Sequence, residues 1–115
     1  MHELSIALSI LDIAAEVAER QGGGSVAAIH LRLGPLSGVI PAALCSAYKL
    51  ARESSALSKA ELLIEEVPLV AYCSKCSQER APSSPFDLFC PECNSPMPNI
   101  IRGRELEVVA LEIES

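Results

Sequence analysis

The sequence predicts an α+β fold: two helices packed on a small three-stranded sheet, with an inserted lobe built around cysteines. Three observations predict it. Apolar residues recur at helical spacing over the first 20 positions, and a second helical stretch follows Pro41. The stretches "SVAAIHLRLG" and "ELEVVALEIES" alternate apolar with polar residues, as half-buried strands do, and "AELLIEEV" is a third strand candidate. Between the second and third of these strands the composition changes at Pro68. From there to about Ile101 the chain holds four of its five cysteines and the prolines 82, 85, 91, 96 and 98. Such a segment cannot build a core from aliphatic side chains. The reading is an α+β domain over residues 1–69, a cysteine lobe over 70–101, and a strand over 102–115 that returns to complete the first sheet.

Residues 4–20 form the first helix. Ser5, Ser9, Asp12, Glu16 and Glu19 fall on one polar stripe, and Leu4, Ile6, Leu8, Ile10, Leu11, Ile13 and Val17 make a wide apolar face. Gly22, Gly23 and Gly24 end it. In the next strand Ile29, Leu31 and Leu33 point one way and Ala28, His30 and Arg32 the other. His30 reads there as a satisfied or exposed side chain. "GPLSGVIP" is a loop, and Pro41 suits the first turn of a helix running to about Ser54. That helix should bury Leu44, Ala47, Tyr48 and Ala51, with Cys45 as a small core residue. In the last strand Val109, Leu111 and Ile113 alternate with Ala110, Glu112 and Glu114.

Composition narrows the function. Half the residues are hydrophobic, but there is no tryptophan and only two tyrosines and two phenylalanines, so the core is aliphatic and alanine-rich. The formal charge is −6, which disfavours nucleic acid as a partner, because that binding rests on clustered lysine and arginine. The longest apolar stretch, Leu4–Ala18, is broken by Ser5, Ser9, Asp12 and Glu16, so no membrane span is expected. No basic region precedes it, as a signal peptide would require. A cytoplasmic location follows as the expectation, with thiols reduced or metal-bound. An exposed apolar sheet edge would permit a weak homodimer of an otherwise monomeric chain.

The cysteines carry the clearest chemistry. Cys73 and Cys76 are separated by two residues, as are Cys90 and Cys93, with 13 residues between the pairs. A two-residue gap lets both thiolates of a pair approach one ion from a tight turn, and two pairs complete a tetrahedral shell for Zn(II). A shell of four cysteines leaves no open position, so this zinc-ribbon lobe is structural. The ion replaces the core that the segment lacks. Four thiolates less the two charges of zinc would take the formal charge from −6 to −8. A redox dithiol and an iron–sulfur site are the competing readings; prolines beside the second pair favour a knuckle. Lys75 and Arg80 lie near the thiolates, where they would either offset the thiolate charge or stand as solvated surface charges, and the second is the favoured reading.

The other unusual feature is "MHELS" at the start. The terminal amine, the His2 amide nitrogen and the His2 imidazole can chelate one metal through a five- and a six-membered ring. Planar nitrogen-rich shells suit Ni(II) or Cu(II) rather than tetrahedral zinc. The shell is either amine, His2 amide and imidazole, or Glu3 amide, His2 amide and imidazole, each with one outside ligand. Both are open, which suits handing a metal on. The Glu3 carboxylate reads equally as a charge at the start of the helix.

The chain resembles the HypA/HybF hydrogenase maturation proteins, which are nickel metallochaperones. The resemblance rests on "MHELS", "GPLSGVIPAAL", the four-cysteine segment with "CPEC", and "GRELEVVALEIE", in that order. It implies a nickel domain of two helices on a three-stranded sheet with a separate zinc lobe. It also implies nickel at Met1, His2 and Glu3, and structural zinc at Cys73, Cys76, Cys90 and Cys93. The implied partners are the GTPase HypB and the precursor of the [NiFe]-hydrogenase large subunit; some members also serve urease maturation. The zinc segment here contains no histidine, whereas some members carry histidines beside their cysteines.

No phosphate loop and no nucleophile–base pair stands out, so the chain reads as a binding protein and not an enzyme. The alternative is a zinc-ribbon adaptor that binds another protein and ignores nickel. Such an adaptor has no need of His2.

Overall fold

The computed structural model describes residues 2–114. In chain order the elements are α1 (Glu3–Arg20), β1 (Ser25–Leu33), a 3-10 turn (Pro35–Ser37), α2 (Pro41–Arg52), β2 (Glu61–Glu66), β3 (Val70–Cys73), β4 (Gln78–Arg80), β5 (Asn99–Arg102) and β6 (Leu106–Glu114). They fall into two compact units. One comprises Met1–Arg32, Val39–Glu65 and Glu107–Ser115; the other comprises Leu33–Gly38 and Glu66–Leu106.

The first unit is the expected pair of helices with a three-stranded sheet in the order β2-β1-β6. The C-terminal strand thus returns to pair with β1, as its alternation predicts. The core is aliphatic: Ala7, Ile10, Leu11, Ala14 and Ala18 of α1, Leu44 and Ala51 of α2, and Val26, Ala28, Ile29 and Leu31 of β1 are buried. The α1 helix ends where glycine can turn the chain. Gly23 takes a left-handed φ of 84° and donates its amide to the Ala18 carbonyl at 2.9 Å, satisfying a carbonyl of the last turn.

Pro41 occupies the first turn of α2, where its missing amide hydrogen costs nothing. Leu44, Tyr48 and Ala51 recur every three or four residues and are buried. Ala47 and Cys45, also expected in the core, are only half-buried because they lie at the edge of this stripe. The Tyr48 hydroxyl donates to the Ala60 carbonyl at 2.8 Å, and Arg52 Nη1 donates to the same oxygen at 2.9 Å. Together they tie the end of α2 to the start of β2. Burial pushes the Tyr48 phenol up, against the pull of Arg52.

The wide apolar face of α1 is only partly covered. Leu4, Leu8 and Ile13 remain 46–48% exposed. One partner helix and a sheet of three strands cannot cover so broad a face. Among the described residues, no helix is long and apolar enough to cross a membrane.

The second unit is a three-stranded antiparallel sheet in the order β4-β3-β5, carrying the cysteines. Its core contains Ala71, Cys73, Cys90 and Met97, with Cys76, Cys93 and Ile100 packed against them. Sulfur thus does much of the filling in this lobe. The same unit joins two motifs distant in sequence. The Gly34 amide donates to the Glu105 carbonyl at 2.8 Å, and the Leu36 amide donates to the Gly103 carbonyl at 2.7 Å. A Cβ on Gly34 would lie 2.2 Å from the Gly103 oxygen, so only glycine fits. "GPLSG" and "GREL" are therefore two sides of one backbone contact.

Candidate metal centre

Both cysteine pairs sit on tight turns. Cys73 ends β3, and the chain doubles back to β4 with Cys73 paired to Gln78. The residue after each pair, Ser77 or Asn94, takes a left-handed φ of 56° or 59°. That conformation turns the chain after the second cysteine, leaving both thiols on the inside of the turn. The Cys76 amide points at Cys73 Sγ at 3.4 Å, and the Asn94 amide donates to the Cys90 carbonyl at 2.8 Å.

The two turns meet. The four Sγ atoms lie within 4.8 Å of one another, with Cys73 to Cys93 at 3.5 Å and Cys76 to Cys90 at 4.0 Å. Metal–sulfur bonds of about 2.3 Å in a tetrahedron require sulfur–sulfur edges of roughly 3.8 Å. The donor set therefore fits a tetrahedral ion of soft-ligand preference. Cys73 and Cys90 are buried, while Cys76 and Cys93 are half-buried.

Packed this closely, the thiols do not ionise alike. The Ser95 hydroxyl and amide lower the Cys93 pKa to about 6. Cys90 is lowered too: its burial acts upward, but the amides of Cys93 and Glu92 outweigh it. Arg80 pulls Cys76 down, yet the neighbouring thiols Cys93 and Cys73 and burial prevail and push it up to about 11. A divalent ion held by the four sulfurs would remove this conflict by supplying the charge that lets all four become thiolates.

The sequence does not single out Ser95, and it favours Arg80 as a solvated surface charge over a charge partner of the thiolates. Lys75 is exposed, as expected of a solvated charge. Arg80 is not: it is half-buried and stands beside Cys76 and Cys90. The signal was available, because Gln78 and Arg80 alternate in a hairpin strand that begins just after the first knuckle.

At the other end of the chain, His2 is exposed and caps α1 in an extended conformation, φ −88° and ψ 91°. Its side chain makes no capping hydrogen bond. Glu3 is the first helical residue and is half-buried. Met1, the third residue of the expected nickel site, lies outside the described residues. His30, by contrast, is held by Glu112: its Nε2 lies 2.6 Å from Glu112 Oε2. Cys45 stands apart from the sulfur cluster, which comprises only the other four cysteines.

A two-helix α+β unit and a four-cysteine lobe define a small metal-binding protein. The particular family follows from comparison with known proteins. Residues 1–113 match the family described as HypA, hydrogenase/urease nickel incorporation, metallochaperone. Hydrogenase maturation factor HypA of Chloroflexus aurantiacus is 46% identical over 112 residues, covering 97% of this chain and 98% of that protein. The HypA factor of Picosynechococcus is 37% identical over 115 residues, covering 98% and 99%. The solution structure of the Ni metallochaperone HypA from Helicobacter pylori is similar with a TM-score of 0.68 and 25% identity, covering 98% of this chain and 97% of that one. The chain belongs to the HypA family. That membership makes it a maturation factor and not an enzyme.

Proposed function

We propose that the protein binds Ni(II) at its N-terminus, through Met1, His2 and Glu3, and delivers it to the [NiFe]-hydrogenase large-subunit precursor. The observation that carries this reading is where α1 begins. Its first ladder bond runs from the Ile6 amide to the His2 carbonyl at 3.2 Å. The amides of His2 and Glu3 precede that bond and belong to the unpaired N–H groups of a helix start. A metal can take them as deprotonated nitrogens without breaking the helix. The exposed, uncapped His2 imidazole completes a chelate suited to planar Ni(II). The positive end of the helix dipole opposes a cation there, and the Glu3 carboxylate in the first turn offsets it. The shell keeps a position open for an outside ligand, so nickel can be handed to stronger donors.

Cys73, Cys76, Cys90 and Cys93 hold Zn(II) as a structural ion in this reading. The near-tetrahedral spacing of their sulfurs supports zinc, and the lobe has little other core. In this reading residues 1–69 with the returning strand 102–115 carry nickel and 70–101 form the zinc ribbon, although 33–38, 66–69 and 102–106 fold into the same compact unit as the cysteines. A HypB-type GTPase is the proposed nickel source or co-chaperone, since the chain itself carries no phosphate loop. Urease maturation is a second proposed destination. A reducing cytoplasm is the location that goes with this reading, since it keeps cysteines free to bind a metal.

Transfer tests the proposal. Nickel-loaded protein is mixed with metal-free hydrogenase large-subunit precursor, and nickel is measured in each after separation. The expected result is nickel in the precursor with the native chain and little with His2→Ala. Equal transfer from both would overturn the terminal site.

A further inference from the structure

The lobe contains a cation that the zinc reading does not use. In the β3–β4 ladder Arg80 lies opposite Ala71, and Cys73 lies opposite Gln78. Paired residues of neighbouring strands project to the same face. Ala71 and Cys73 are both fully buried in the cluster that holds Cys90 and Met97. Arg80 therefore projects onto the cysteine face of the sheet, away from the face that carries the Arg102–Glu79 pair at 3.1 Å. Its Nε is buried and, among the described residues, has no hydrogen-bond partner.

A buried guanidinium nitrogen without a partner is costly unless something on that face compensates its charge. Carboxylates are not what it meets: its neighbours are Cys76 and Cys90. Four thiolates around one divalent ion carry two excess negative charges, spread over sulfur atoms that accept hydrogen bonds. The planar fork of arginine offers several donors at once and stays charged in every relevant condition. One cation beside two of the sulfurs halves the excess charge.

We propose that Arg80 is a positioning residue for the metal centre: its guanidinium donates to the Cys76 and Cys90 thiolates and stabilises the loaded four-cysteine shell. The inference rests on the zinc reading above. It gives the lobe a charge partner that is permanently cationic, in a segment with no histidine. Groups in this outer position ordinarily govern how tightly an ion is held, by about 10- to 100-fold.

Zinc affinity is measured by competition with a chromogenic chelator for the native chain, Arg80→Gln, Arg80→Lys and Arg102→Gln. Arg80→Gln should weaken zinc binding by about 10- to 100-fold. Arg80→Lys, which keeps the charge and loses the fork, should fall between Arg80→Gln and the native chain. Arg102→Gln, on the opposite face of the same sheet, should match the native chain. Native affinity in Arg80→Gln, or equal loss in Arg80→Gln and Arg102→Gln, overturns the proposal. A native chain that holds no zinc overturns the zinc reading itself, so the two failures are distinct. Should Arg80→Gln not fold, nuclear magnetic resonance of the native zinc-loaded protein decides. The Arg80 Nε–H is expected to exchange slowly and to shift when cadmium replaces zinc. Exchange as fast as that of the Arg102 Nε–H, with no shift, overturns the proposal.

Discussion

Cys73 Sγ lies 3.5 Å from Cys93 Sγ although 20 positions separate them in the chain. Two thiolates that close would repel one another, so a cation between them is what would let both ionise. Replacing Cys93 by serine removes one corner of the shell. The variant should lose zinc to a chelator that leaves the native chain loaded, with a loss of several kcal/mol out of the roughly 10–16 kcal/mol typical of such sites. Amide exchange should then quicken across β3, β4 and β5 and stay slow in α1 and β1. Elemental analysis and hydrogen exchange check both parts.

Metal-free, reduced protein should show a stability optimum in the second unit near pH 9. Cys93 is lowered from 9.0 to about 6, so its contribution is full above 9 and is lost as pH falls through 6. Cys76 is raised from 9.0 to about 11, so its contribution is full below 9 and is lost as pH rises through 11. Ser95→Ala should shrink the acid-side loss, because Ser95 is the main cause of the Cys93 shift. Denaturant titrations followed by circular dichroism across this range test the sign.

Tyr48 fills the core of the first unit and ties α2 to β2 through the Ala60 carbonyl. Tyr48→Phe should cost only about 0.5–1.5 kcal/mol, because Arg52 still donates to that oxygen. Tyr48→Ala should cost about 3–5 kcal/mol, as the loss of a buried aromatic ring does. Equal losses in the two variants, measured by chemical unfolding, would show that the hydroxyl and not the ring carries the contribution.

Gly34→Ala should destabilise the second unit by at least about 2 kcal/mol, since overpacking against backbone cannot be relieved by a side-chain rotation. The same change at Gly22, where an added Cβ meets nothing within 4 Å, costs only the strain of its φ of 96°. Thermal unfolding of both variants separates steric contact from backbone strain.

Much of this molecule is legible in its sequence, and for stated reasons. The α1 helix, the β1 alternation and the four-cysteine spacing are local patterns, so the elements and the sulfur cluster follow from them. The return of β6 to β1 is legible because its alternation needs a sheet to face. Burial is harder to read. Leu4, Leu8 and Ile13 look like core residues, but how much of a helix face is covered depends on how many elements exist to cover it. Arg80 could not be decided from the sequence for a similar reason: strand register across the knuckle sets whether it faces water or sulfur. The fit between Gly34 and Gly103 joins positions far apart in the chain, and nothing local in either motif reveals it.

The most direct test of the central claim, that nickel binds at the chain's first residues, is a calorimetric nickel titration of zinc-loaded protein. It compares the native N-terminus, His2→Ala, and a form with two residues added before Met1. The account predicts tight binding and a planar-nickel absorption band for the native form alone, with any residual signal in the extended form arising from a Glu3-amide shell. Equal binding by all three forms would contradict it and would leave the zinc-ribbon adaptor as the better description.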